Sequence, residues 1–144
     1  TSNLVALASP DFRCAETLAK VSDALERQLA DNTSSLMLLF KARYSITADF
    51  GVGDFMYGLG DSTASAVQYG QKASLCSALK HLYGREVSDV EYTETFANFT
   101  LSQYGDEYFS QCFYNSTCMR TSDHAVPAES ARSWYWLKCT ELGY

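Results

Sequence analysis

Few residues in this chain have the type and spacing to do chemistry unaided. A serine nucleophile on a strand-to-helix turn is written G-x-S-x-G, and the sequence contains no such pentapeptide. Gly60-Asp61-Ser62 shares two of its residue types, but it lies inside a helical pattern with no strand before it. Only His81 and His124 offer an imidazole base, and neither has a histidine four residues away to share a metal. His81 belongs to a helix pattern and His124 to a polar loop, positions that suit surface or capping histidines. Gly51-Val52-Gly53 and Gly58-Leu59-Gly60 do not extend to the G-x-G-x-x-G that binds a dinucleotide after a strand. Glu91 and Glu94 read as a solvated helix face. The expectation is a chain with no catalytic residue, metal site or cofactor of its own.

Cysteines and sequons carry more. None of the five cysteines forms the C-x-x-C spacing of a zinc or redox site. Asn32-Thr33-Ser34, Asn98-Phe99-Thr100 and Asn115-Ser116-Thr117 are acceptor triplets for N-glycosylation. Together with the cysteines and an acidic balance they point to the secretory route. An odd cysteine in such a protein indicates a partner elsewhere or a reactive thiol. The 144 residues carry 11 Lys plus Arg against 17 Asp plus Glu, a net charge of -6. That argues against nucleic acid, because phosphate binding needs a basic surface. The longest strongly apolar run, Leu36 to Phe40, is far short of the ~20 residues that span a bilayer. Thr1 shows no signal peptide, so the chain reads as a mature segment or an excised piece.

The elements that position these residues are helical nearly throughout. Ser9-Pro10 is a helix start, and Cys14, Leu18, Val21, Leu25 and Leu29 follow as one amphipathic stripe, ending at Asp31-Asn32. A second helix is predicted from Ser35 to about Ile46. After a small-residue loop (Asp49 to Gly53) comes a third, from Asp54 to about Tyr69, with Gly70 as C-cap. Gly58 and Gly60 inside it predict close packing against another backbone. A fourth helix spans about Lys72 to Tyr83 and stops at Gly84. Ser88-Asp89-Val90-Glu91 is a capping box opening a fifth, which reaches Tyr104-Gly105. Tyr108 to His124 reads as irregular, and a last helix begins near Pro127 or Ala128. With 47% hydrophobic and 19% charged residues and no internal linker, residues 1–144 form one mainly α domain. It is a helical bundle with one loop-rich excursion holding Cys112 and Cys118.

Two segments resemble a known family. Arg132-Ser133-Trp134-Tyr135-Trp136-Leu137-Lys138-Cys139-Thr140-Glu141-Leu142-Gly143-Tyr144 is similar to the R-x-W-x-[YW]-x-x-C-T-E-[FL]-G-[YF] segment of one serine peptidase family. Its members are lysosomal Pro-Xaa carboxypeptidase, dipeptidyl peptidase II and thymus-specific serine peptidase. Asp54-Phe55-Met56, Gly60-Asp61, Ala66-Val67-Gln68-Tyr69-Gly70 and Leu75-Cys76 resemble the same family's second helical block, closest to the thymus-specific branch.

The resemblance implies an α/β-hydrolase parent that carries a Ser-Asp-His triad, with this sequence as the inserted helical lid. The lid would gate peptide substrates of a proline-directed carboxypeptidase or aminopeptidase, lysosomal or secreted, whose relatives often form homodimers. It implies a Cys14–Cys76 pair, a local Cys112–Cys118 pair of the kind seen in the dipeptidyl branch, and a partner for Cys139 in hydrolase sequence. That branch places an acid for the substrate's amino terminus where this chain has Tyr114, beside Asn115, which puts dipeptidyl specificity in doubt. Tyr144 is the residue expected to approach the substrate pocket. Arg132, Trp134, Trp136, Thr140, Glu141, Gln68 and Tyr69 are expected to be structural, the tryptophans as buried aromatics. Two other readings stay open from the residues: an independent helical secreted glycoprotein that binds a partner, and the lid of a catalytically dead homologue.

Overall fold

The computed structural model describes residues 12–30, 35–47, 50–109, 112–120, 136, 137 and 140. The helix start at Ser9-Pro10, the stop at Asp31-Asn32, His124 and the helix onset near Pro127 lie outside them. So do Asn32, Arg132, Trp134, Cys139, Glu141 and Tyr144. The described residues are mainly α, with no strand among them.

Helix α1 (Phe12–Leu29) buries the stripe read from the sequence, with Ala15, Thr17 and Ala24 beside it. Its main partner is α5 (Asp89–Tyr104), and α4 (Lys72–Leu79) packs against both. Arg27 clamps Asp89 through two hydrogen bonds of 2.7 and 2.8 Å, and Lys20 lies 3.6 Å from Glu86. The first contact ties α1 to the start of α5 and the second to the segment just before it. Cys14 and Cys76 are disulfide-bonded across α1 and α4, with Cα atoms 5.3 Å apart. Ser88 caps α5, its hydroxyl accepting from the Glu91 N–H. The Glu91 carboxylate pairs with Arg85 at 3.4 Å, so only half of the capping box is in use.

Helix α2 is shorter than expected, Ser35–Arg43. Its end is pulled into a tight turn: the Lys41 carbonyl accepts from the N–H groups of both Tyr44 and Ile46. Ser45 takes a left-handed φ of 56° there, which breaks the helical run. The Lys41 ammonium is buried and donates to the Phe50 carbonyl at 2.8 Å. Met37 and Phe40 enter the core, whereas Leu36, Leu38 and Leu39 stay exposed, Leu39 at 68%. α2 is therefore apolar on both sides, a pattern that suits a helix covered on both.

Helix α3 (Val52–Gln68) begins two residues before the expected Asp54. After Gly70, at a left-handed φ of 79°, the chain enters α4 and continues as a 3-10 turn over Lys80–Leu82. The excursion expected to be irregular contains a 3-10 turn, Cys112–Tyr114, and a short helix α6, Ser116–Arg120. Phe40, Tyr44, Phe55 and Phe109 form an aromatic core with mostly edge-to-face contacts, Tyr44 and Phe109 at 4.7 Å between centroids. The glycine expectation needs correction. A Cβ on Gly58 would meet the Phe109 ring at 2.3 Å, a side chain and not a backbone, whereas one on Gly60 would meet nothing within 4 Å. Trp136, expected to be buried, is 63% exposed. The Thr140 hydroxyl donates to its carbonyl at 2.8 Å, a local helical bond that leaves the indole uncovered.

Candidate functional site

The small disulfide loop is assembled from one end of α3. Asp54, in the first turn of α3, accepts from the Ser116 N–H at 2.9 Å and the Ser116 hydroxyl at 2.8 Å through one oxygen, Oδ2. Asn115 caps α6, its Oδ1 accepting from the Cys118 N–H at 2.9 Å. Cys112 and Cys118 are bonded, their Cα atoms 5.3 Å apart. Two caps and a covalent link thus hold a segment too short to be a stable helix alone.

Tyr114 sits at the centre and is buried. Its hydroxyl donates to Asp61 Oδ2 at 2.7 Å and is also hydrogen-bonded to the Tyr108 hydroxyl. Tyr108 stacks on Tyr104 at 4.8 Å, and the Tyr104 hydroxyl reaches the Ser62 carbonyl at 2.9 Å. Burial pushes the Tyr108 phenol up to about 12. Burial, followed by the bonds to Tyr108 and Asp61, pushes Tyr114 far above the phenol range. Both phenols are neutral at any physiological pH. Neither serves as a base or nucleophile, and the Tyr114 hydroxyl is already engaged inside the protein.

What Tyr114 presents outward is its ring. With Asp54, Tyr57, Phe113, Met119 and Arg120 it lines a cavity of about 280 Å³. The walls are aromatic, Tyr57 and Phe113 at 6.4 Å between centroids, and the lining carries one carboxylate and one guanidinium. The chemistry of this lining is complementary to a flat or apolar group with a charged end.

Elsewhere, the sequence candidates take structural places. Ser62 is fully buried and its hydroxyl donates to the Leu59 carbonyl at 2.7 Å. The His81 Nε2 lies 3.3 Å from the Thr95 hydroxyl, so its neighbour is a threonine. Glu94 pairs with Arg43 at 3.4 Å, which together with the Arg85–Glu91 pair matches a solvated helix face. Gln68 and Tyr69 are exposed at the end of α3. Asn98 is exposed on α5 and its side-chain oxygen accepts from Arg43; Asn115 is half-buried. No cluster of metal-ligating side chains occurs among the described residues.

The sequence reading missed Asp54 and Asp61 as anchors of this loop. Their seven-residue spacing, which puts them on one face of α3, was the available signal. Their partners lie 62 and 53 residues further on, beyond the reach of local patterning. No protein-family model, curated protein or solved structure matches the chain.

Proposed function

We propose that this chain is the substrate-gating lid of a serine-type exopeptidase, proline-directed and lysosomal or secreted, whose triad resides on a separate hydrolase domain. The observation that carries the reading is the disulfide pattern. Cys14–Cys76 and Cys112–Cys118 are bonded, and they are the two pairs that the family resemblance implies. Disulfides of this kind fit an oxidising compartment. The exposed leucines of α2 and the uncovered Trp136 add support, because a lid must bury one apolar face against its catalytic domain. In this reading Cys139 pairs with a cysteine of that domain, Tyr144 borders the substrate pocket, and Asn32, Asn98 and Asn115 carry glycans.

The lid's contribution to mechanism is physical. Acyl transfer from the peptide to the triad serine proceeds through an oxyanion stabilised in a water-poor site. A cap over the site expels water and admits only chain ends. The aromatic cavity beside the disulfide loop would hold one flat side chain of the peptide, with Asp54 and Arg120 at hand for its charged end. The test is direct: the purified 144-residue chain, incubated with proline-containing peptides, should show no hydrolysis above buffer. Turnover by this chain that a fluorophosphonate inhibits would overturn the reading.

A further inference from the structure

A second opening lies away from the disulfide loop, between α1 and α3. Leu18, Val21 and Leu25 of α1 face Met56 and Leu59 of α3 across a slot of about 220 Å³ that also reaches Phe96 of α5. α1 packs chiefly on α5 and α4 rather than on α3, which leaves this seam open. Gly60 keeps it open: a Cβ there would find no atom within 4 Å. Among the described residues the polar lining is Ser22, Thr63 and Glu26, and of these Glu26 is the ionisable group.

The basic side chains of α1 are engaged with other groups. Arg27 is held by Asp89, Lys20 lies between Glu16 at 3.8 Å and Glu86 at 3.6 Å, and Arg13 stands over the Tyr83 ring at 5.5 Å. The chain as a whole carries a net charge of -6, which raises the local concentration of cations. A volume of this size exceeds the roughly 150 Å³ that accepts a benzene-sized guest and falls short of a drug-sized site. We propose that the slot between α1 and α3 binds a short hydrocarbon amine, its alkyl or aryl group among Leu18, Leu25, Leu59 and Phe96 and its ammonium at Glu26.

The site is independent of the lid reading and is tested without a peptidase. The full 144-residue chain, labelled with 15N, is titrated with hexylamine, hexanol and hexanoate while amide shifts are followed. Burying a six-carbon tail gives a dissociation constant of roughly 1 mM, with saturable shifts at Leu18, Gly60 and Thr63. Glu26→Gln should weaken hexylamine about two- to fivefold, the strength of an exposed charge pair, and leave hexanol unchanged. Gly60→Leu should fill the slot and abolish binding by all three. Ser22→Phe plugs the opposite wall and serves in its place if Gly60→Leu does not fold. Shifts that do not saturate, hexanoate binding as tightly as hexylamine, or full binding by a folded plugged variant would each overturn the proposal.

Discussion

Gly58 and Gly60 lie two residues apart in α3, and replacing each by alanine should move stability in opposite directions. In an exposed helix interior, glycine to alanine gains up to about 1 kcal/mol from propensity alone. At Gly60 nothing opposes that gain, because the new methyl would meet no atom within 4 Å. At Gly58 the methyl would lie 2.3 Å from Phe109 Cε1 and 2.7 Å from Cδ1. Carbon atoms rest at about 3.5–4.0 Å, so the ring would have to retreat by more than about 1 Å. It has nowhere to go. Phe109 is fully buried and wedged against Tyr44, Phe55 and Tyr108 at 4.7, 5.4 and 5.1 Å. Overpacking costs about 1–3 kcal/mol, and so tight a contact belongs at the upper end. Gly58→Ala should therefore lose about 2 kcal/mol net, a fall in Tm of about 7 °C for a chain of this size. Gly60→Ala should gain about 0.5–1 kcal/mol and raise Tm by about 2–4 °C. Thermal melts followed by far-UV circular dichroism, supported by urea midpoints, decide the matter. A Gly58→Ala variant as stable as the parent, or shifts of the same sign in both, would refute the packing argument.

The disulfides should differ in weight: with sequence separations of 62 and 6, chain entropy gives about 4 kcal/mol for Cys14–Cys76 and about 2 kcal/mol for Cys112–Cys118. Paired Cys→Ser variants compared by urea unfolding check the order. The hydrogen bonds from Arg27 hold the Asp89 carboxyl below its usual range. A depressed pKa contributes stability above the unfolded value near 4 and loses it as pH falls through the folded value. Asp89→Asn should thus melt below the parent at pH 7, and the gap should close below about pH 4. Burial raises Tyr108 to about 12, so its contribution is complete below pH ~10 and lost as pH climbs toward 12. Absorbance at 295 nm should show a group of phenols that ionise only as the fold is lost, and full titration of a still-folded chain at pH 11 would contradict it. Leu39→Glu, at an exposed site, should change the stability of this chain by no more than about 0.5 kcal/mol. The same variant should lose association with the proposed hydrolase domain, measured by pull-down.

What the sequence made legible was local. The stripe from Cys14 to Leu29, the cap at Ser88 and the stops at Gly70, Gly84 and Gly105, each with positive φ, follow from spacing and backbone freedom alone. α2 ended early because the turn at Tyr44–Ser45 is set by a doubly used carbonyl on Lys41, a detail no periodicity carries. α6 was read as irregular because five residues cannot announce a helix; Asp54 and Asn115 stabilise it from outside. The position of Tyr114 was legible as a place on the disulfide loop, but the burial of its hydroxyl was not. That burial depends on Asp61 and Tyr108 arriving from elsewhere in the fold. The Gly58–Phe109 contact is of the same kind, a fit between residues 51 apart in sequence.

The central claim is tested most directly on the native protein. An antibody raised against this chain would isolate it from its source, and a fluorophosphonate probe would then label any activated serine. The account predicts a labelled band several times heavier than 16.0 kDa, a lid within a working serine peptidase. An unlabelled band near 16.0 kDa plus glycans would contradict it and leave an independent binding module in its place.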